Sequence, residues 1–252
     1  MIFPVYFYII IDKNIDLLKL ENYQYSLLLI IHVIYGWFWG LKDILFPDHN
    51  WARPSSPISL FTVFFPVSCG LCLPMYCLGY SDQCDVFASK FYPSWFTFGS
   101  KNDNETKQLI LAYLGIISYI IGMIFHFGSD CQKYFILELR AKNKMKRTLI
   151  TNGFFRYSRN PNYFGEILTY LGFTLVSGHL FSLSAVILIW IMMFYPNMTN
   201  KDCRMSRHQE WKQYKKMAWF CFPNVFLMVS DLRYLFVGRP EDFSEIRVDK
   251  VE

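Results

Sequence analysis

Charged side chains are scarce in this chain of 252 residues, where Asp, Glu, Lys and Arg together make up only 18% of the sequence. A soluble domain usually carries about 25% charged residues. Hydrophobic residues make up 53% of the chain, and its mean hydropathy is +0.20. These values argue against an ordinary soluble domain and direct attention to the long uncharged runs.

Four runs without Asp, Glu, Lys or Arg approach or exceed the length of about 20 apolar residues that a helix needs to cross a bilayer. They are residues 25–41, 54–81, 108–129 and 167–199. The pattern predicts an all-α, polytopic membrane protein with about five to six transmembrane helices.

The longest run, 167–199, is too long for one membrane-spanning helix. At 1.5 Å per residue it would extend about 50 Å, whereas the apolar core of a bilayer is about 30 Å thick. We therefore expect two helices, separated at Ser177-Gly178-His179. The first should begin near Pro161 and the second should end near Pro196.

Common nucleotide and metal motifs are missing from the sequence. It contains no P-loop and no G-x-G-x-x-G pattern. Cys69-x-x-Cys72 has the spacing of a metal-binding pair, but it lies in an apolar run without a second pair, so we interpret it as packing and predict no metal site.

Two basic segments predict how the chain is oriented in the membrane. Residues 130–159 contain eight Lys or Arg against two acidic residues, and residues 201–216 contain six against two. The positive-inside rule places both segments in the cytosol. The net acidic loop 82–106 then lies on the opposite side.

Asn160-Pro161 marks the predicted start of a helix. Asn is favoured at the N-cap and Pro at the first helical position, and Pro also moves the preceding residue out of the α region. Asn162 and Glu166 are four residues apart and therefore share one helix face, close to Tyr163. A carboxylate at this depth is costly without a partner, so Glu166 is a candidate functional residue.

Basic residues beside this helix start favour an anionic ligand. Arg156 and Arg159 precede the helix, whose free N–H groups and positive dipole end suit a phosphate. Asp130 and Lys133 share a face with His126 where the run 108–129 ends. The later segment offers Arg204, Arg207, Trp211, Tyr214 and Lys215, of which Trp211 and Tyr214 could present a flat surface to an aromatic ring.

The stretches "SDCQKYF", "NGFFRYSRNPNYFGEILTYLGFTL" and "KDCRMSRHQEWKQYKKMAWFCFP" resemble the C-terminal domain of the steroid 5-alpha-reductase family over about residues 108–225. The resemblance implies a multi-helix enzyme of the endoplasmic reticulum membrane with a cytosol-facing cofactor pocket. It also predicts three regions: an unassigned membrane region 1–106, the reductase-like domain 107–230, and a polar tail 231–252.

Such enzymes use NADPH to reduce a carbon–carbon double bond of a lipid, so a lipid substrate from the bilayer is expected and a nucleic-acid partner is not. By this resemblance Glu166 lies near the polar end of the substrate, and the polarising tyrosine of the characterised enzymes comes from the N-terminal half. From the residues themselves, Glu166 and Tyr163 are the candidate catalytic residues, because either side chain could donate a hydrogen bond to a carbonyl oxygen. The predicted cofactor-binding residues are Asp130, Lys133, Arg156, Tyr157, Arg159, Asn162, Arg207, Tyr214 and Lys215.

Two other functions remain open at this point. Isoprenylcysteine and phospholipid methyltransferases, which use S-adenosylmethionine, resemble the chain through an Arg-His-Pro-x-Tyr-x-Gly pattern. Here Asn160 replaces the histidine, and the paired glutamates typical of those enzymes are absent from "NKDCRMSR". The second alternative is a sterol-binding or scaffold protein without activity.

Overall fold

The structure, a computed structural model, describes residues 2–19, 22–47, 67–68, 71–90, 105–146 and 148–232. Within these ranges the chain is helical, and its β-type pairing is an isolated parallel bridge between Ser158 and Trp219. The predicted all-α class is therefore confirmed for this part of the chain.

The described part of the N-terminal region contains four helices. They are α1 (Ile2–Asp12), α2 (Tyr23–Leu45), the helical residues 71–79 (α3) and α4 (Ser81–Ser89). His32 on α2 holds three of them together, because its ring is hydrogen-bonded to the Tyr6 hydroxyl on α1 at 2.5 Å and to the Leu71 carbonyl on α3 at 3.0 Å. Most of the predicted span 54–81 lies outside the described residues.

The remaining helices form the second half. They are α5 (Glu105–Lys142), α6 (Phe154–Tyr157), α7 (Pro161–Ser177), α8 (Leu183–Ile189), α9 (Tyr195–Met205), α10 (Trp211–Met217) and α11 (Val225–Leu232). A 3-10 turn at Leu180–Ser182 precedes α8, and a π-helical turn at Trp190–Phe194 joins α8 to α9.

Among the residues that the structure describes, three helices are long and apolar enough to cross a membrane: Tyr23–Leu45, Glu105–Lys142 and Leu183–Met205. The chain thus has the features of a membrane protein, while the predicted count of five to six spans stays a prediction. The apolar run 108–129 is the first part of a longer helix than expected, since α5 continues to Lys142.

The predicted boundaries of α7 are confirmed. The helix begins at Pro161, with Asn160 in the N-cap position, and it ends at Ser177. Gly178 follows in the left-handed conformation, with φ at 73°, which glycine adopts without steric cost. The Asn160 side chain does not cap the helix as expected, because its amide donates to the Phe220 carbonyl at 2.8 Å.

The expected helix end at Pro196 is wrong, because the helical path continues to Met205. Proline cannot donate the backbone hydrogen bond of a helix. Just before Pro196 the chain forms a π turn, in which the Tyr195 N–H bonds the Trp190 carbonyl. The looser turn carries the chain past the proline without a break.

Glycines set the close approach of α5 and α7, which run antiparallel. A Cβ atom on Gly122 would lie 2.6 Å from the Thr169 nitrogen, and one on Gly172 would lie 2.8 Å from the Gly115 carbonyl oxygen. A Cβ atom on Gly165 would collide with the backbone of His126. Small residues of this kind let membrane helices pack backbone to backbone, and here they bring Glu166 against α5.

The N-terminal helices and the second half share one core. Tyr6 on α1 and Leu28 and Tyr35 on α2 are buried together with Phe173 and Val176 on α7. The boundary between 106 and 107 stays a prediction, but residues on both sides of it pack against each other. Of the expected tail, residues 231 and 232 belong to α11, and the rest lies outside the described residues.

Candidate functional site

A group of polar side chains lies between α2, α5 and α7 near their basic ends. We call it the bundle cluster; its members are Tyr35, Trp39, Lys42, His126, Asp130 and Glu166. Polar and ionisable groups between apolar membrane helices are costly, and they are found mainly where function requires them.

The Lys42–Asp130 ion pair joins α2 to α5 within this cluster. The ammonium and carboxylate groups are in direct contact, and the two side chains are only 8% and 15% exposed. The Lys42 ammonium also lies 4.6 Å from the centre of a Trp39 ring, which adds a cation–π contact. Asp130, expected to bind a cofactor, therefore has a lysine partner from the N-terminal region.

Glu166 faces His126 across the α5–α7 contact. The Glu166 Oε1 atom lies 3.8 Å from His126 Nδ1, and the same nitrogen is 3.3 Å from the Asn162 carbonyl oxygen. His126 is 2% exposed, and its Nε2 atom has no hydrogen-bond partner among the described residues. A buried imidazole nitrogen without a partner is an available binding or proton-transfer group.

Tyr35 supplies a second buried polar group. Its side chain is 4% exposed, and its hydroxyl lies close to the polar atoms of Trp39 and Tyr170. The ring lies 6.4 Å from Tyr170 and 5.8 Å from Phe173, and the Glu166 carboxyl is within electrostatic range of the hydroxyl. The cluster thus combines a carboxyl group, an imidazole and a phenol in an apolar setting.

Tyr163, predicted to be catalytic, lies on another side of α7. Its ring packs against Phe194 of the π turn, with ring centres 5.1 Å apart. This contact directs Tyr163 towards the third candidate span, whereas Glu166 faces α5. The two predicted catalytic residues therefore contact different helices.

A second polar network lies at the basic end of the helices, and Arg156 and Arg159 are its centres. Arg156 binds the Asp231 carboxylate with Nε at 2.6 Å, and Tyr157 donates its hydroxyl to the same carboxylate at 3.1 Å. This hydrogen bonding to Asp231 raises the pKa of Arg156. The positive charge of the Arg156 guanidinium is therefore already balanced by Asp231, a residue of the predicted polar tail.

Arg159 is more deeply engaged. It is 6% exposed, and it binds Asp202 with Nε at 3.1 Å and Nη2 at 3.0 Å. Its Nη1 atom donates to the Ala218 carbonyl at 2.7 Å, and the Trp211 ring centre lies 5.4 Å from its guanidinium carbon. These contacts attach the start of α7 to the segment 202–218. Phosphate binding by Arg159 stays a prediction, and a phosphate group would have to compete with the Asp202 carboxylate for the guanidinium.

Substitution of Arg159 by lysine should lower stability by about 1.5–3 kcal/mol, because one ammonium cannot replace a forked donor set to Asp202 and Ala218. Thermal unfolding of the purified protein in detergent measures this. The exposed Arg204 on the same segment is the matched control, and its change to lysine should have little effect. An equal melting temperature of the two variants would contradict the structural role of Arg159.

The expected flat surface made by Trp211 and Tyr214 does not form. Tyr214 is 2% exposed, and its hydroxyl donates to the Phe155 carbonyl at 2.9 Å. Burial raises the pKa of this phenol. The two rings meet edge to face, with an interplanar angle of 63°. Tyr214 thus packs the segment against α6 and does not offer an open ring to a ligand.

Exposed cations remain at the basic end of the helices for an anionic ligand, on a surface that we call the basic face. Arg204, Arg207 and Lys215 are solvent-exposed. Lys201 lies deeper, donates to the Arg159 carbonyl at 2.9 Å, and is within electrostatic range of Lys133 and Asp130. Asp130 therefore connects the basic face to the bundle cluster.

Sequence inspection missed Tyr35, Trp39 and Lys42, which all lie on α2. Their positions, i, i+4 and i+7, place them on one helix face. A signal was present, because Lys42 is the first charge after the uncharged run 25–41. The sequence does not show that Asp130 is its partner, so this lysine looks the same as one that anchors a helix end at the membrane surface.

The chain belongs to the family described as "Protein of unknown function (DUF1295)", which matches residues 91–220, just over half of the sequence. This family includes membrane proteins that resemble steroid 5-alpha-reductases. No curated protein and no solved structure matches the chain. The family match covers α5, α7 and the basic face, whereas α2 lies outside it.

Proposed function

We propose that this protein is a membrane oxidoreductase that uses NADPH to reduce a carbon–carbon double bond of a lipid, conjugated to a carbonyl group. The observation that supports the proposal is the buried Tyr35 hydroxyl within electrostatic range of Glu166, which in turn faces His126. A hydrogen-bond donor held in an apolar bundle suits the carbonyl oxygen of a lipid.

The reaction needs a hydride, a proton and a place for the negative charge that forms on oxygen. NADPH, when bound, supplies the hydride and its two electrons. Tyr35 would donate a hydrogen bond to the carbonyl oxygen and then its proton to the enolate oxygen, which gives an enol. The enol becomes the saturated ketone when the α-carbon takes up a proton from water and the oxygen returns its proton to Tyr35. His126 and Glu166 position the polar end of the lipid, and the surrounding aromatic rings exclude water.

The donor set of the basic face fits an anionic dinucleotide. Arg204, Arg207 and Lys215 are exposed cations that would bind phosphate groups, and Lys201 is within electrostatic range of Arg204, Lys133 and Asp130. Asn162 and the N-terminal turn of α7 complete the predicted site. The resemblance to steroid reductases favours a protein of the endoplasmic reticulum. The excess of Lys and Arg on this face favours its location in the cytosol.

A tracer experiment tests the reaction with a mixture of lipids in place of a single chosen substrate. The purified protein in lipid nanodiscs is incubated with a cellular lipid extract and NADPH carrying deuterium at the transferable position. We expect a lipid that gains one deuterium and one proton, detected by mass spectrometry, and loss of this product in Glu166→Gln.

The same extract is incubated with S-adenosylmethionine carrying a deuterated methyl group. If lipid takes up deuterium from S-adenosylmethionine but not from NADPH, the result rejects the reductase proposal and favours a methyltransferase. Absence of label from both donors would favour a lipid-binding or scaffold protein.

A further inference from the structure

Two cysteine sulfurs lie next to each other at the end of the helices opposite the basic face. The Sγ atoms of Cys77 on α3 and Cys84 on α4 are 3.3 Å apart. Both side chains are buried, at 0% and 4% exposure, and both are free thiols. A disulfide bond is about 2.0 Å long, so a small movement would join them.

A bend in the chain brings these residues together. In a straight helix, residues seven positions apart are separated by about 10 Å along the axis. Here Tyr80 interrupts the helix with φ −126° and ψ 47°, and α4 starts at Ser81. The bend folds α4 back so that the two sulfurs touch, and we call residues 77–84 the elbow.

The elbow connects several parts of the molecule. The Tyr80 hydroxyl donates to Asp12 on α1 at 2.7 Å, and the Tyr25 hydroxyl on α2 donates to the Leu78 carbonyl at 3.1 Å. Asp85, one residue beyond the elbow, lies 4.0 Å from His179 in the turn after α7. A covalent bond across the elbow would therefore fix a junction between both halves of the chain.

The local chemistry favours thiol exchange. The hydrogen bond shared with Cys77 lowers the pKa of the Cys84 thiol, which increases the thiolate form that attacks disulfides. The neighbouring side chains of α4, among them Asp82, Gln83 and Lys90, are exposed. The pair thus lies just beneath a surface that a small oxidant can reach.

We propose that Cys77 and Cys84 are a redox-active pair that closes to a disulfide across the elbow by exchange with a disulfide such as oxidised glutathione. The Cys84 thiolate attacks the oxidant and releases one reduced thiol. The Cys77 sulfur then attacks the mixed disulfide and releases the second. Two electrons pass to the oxidant, and the two protons leave with its reduced thiols.

The test uses the full-length protein in detergent, reduced and then incubated with oxidised glutathione. Remaining thiols are blocked with N-ethylmaleimide, and peptides are mapped by mass spectrometry. We expect a linked peptide containing Cys77 and Cys84, two fewer blocked cysteines than in the reduced sample, and a melting temperature a few degrees higher.

Two variants make the result specific. Cys84→Ala should abolish both the linked peptide and the rise in melting temperature, whereas Cys72→Ala should keep both. The proposal is overturned if Cys77 and Cys84 stay separately blocked after oxidation, or if either one pairs with another cysteine such as Cys72. These readouts do not depend on reductase activity.

Discussion

Replacing Lys42 with methionine is expected to destabilise the protein by about 3–5 kcal/mol, the usual cost of leaving one partner of a buried ion pair uncompensated. Methionine fills much of the lysine volume but carries no charge, so Asp130 would lose the ammonium group that it contacts between the helices. Thermal unfolding in detergent, followed by the loss of helical circular dichroism, measures the change.

A second substitution separates the charge effect from packing. In the double variant Lys42→Met/Asp130→Asn neither partner is charged, so much of the lost stability should return. Lys142→Met, at the exposed end of α5, is the matched control and should change stability by no more than about 0.5 kcal/mol. Equal stability of the Lys42 variant and this control would show that the ion pair does not hold α2 to α5.

Substitution of Tyr35 by phenylalanine should reduce turnover by about 10²–10⁴-fold, the range typical for loss of a positioned acid or base. Phenylalanine keeps the buried ring and its packing against Tyr170 and Phe173, so the fold and NADPH binding should be kept. The rate of deuterium transfer into the lipid measures the effect, and the melting temperature reports on folding.

Tyr119 provides the control for this experiment. Its hydroxyl donates to the Ile31 carbonyl at 2.9 Å, and it lies between the same two helices, α2 and α5. Tyr119→Phe should lower stability by about 1 kcal/mol and leave turnover intact. If Tyr35→Phe keeps full turnover, Tyr35 is not the proton donor, and Tyr163 becomes the next candidate.

Local signals in the sequence predicted the helices well. Asn160-Pro161 and Ser177-Gly178 mark the two ends of α7, because caps and breakers act through the backbone of the residues that carry them. The end at Pro196 was wrong for a related reason. A preceding π turn depends on how the helix packs, and that information is not in the residues next to the proline.

The partners within the site could not be predicted in the same way. Lys42 and Asp130 are 88 positions apart, and Arg156 and Asp231 are 75 positions apart. Such pairs form only when helices pack. The sequence alone does not show which residues so far apart in the chain come close in space. The prediction that Arg156 and Arg159 bind phosphate rested on their position before α7, and it did not include the carboxylates of Asp231 and Asp202 that bind them in the structure.

The direct test of the central claim is a comparison of two cofactors by thermal unfolding of the purified protein. A compound that binds the folded but not the unfolded chain raises the melting temperature as its concentration exceeds its Kd. We expect NADPH to raise the melting temperature and S-adenosylmethionine to leave it unchanged. A rise with S-adenosylmethionine alone, or no rise with either compound, would contradict the assignment of the basic face and the bundle cluster to an NADPH-dependent reductase.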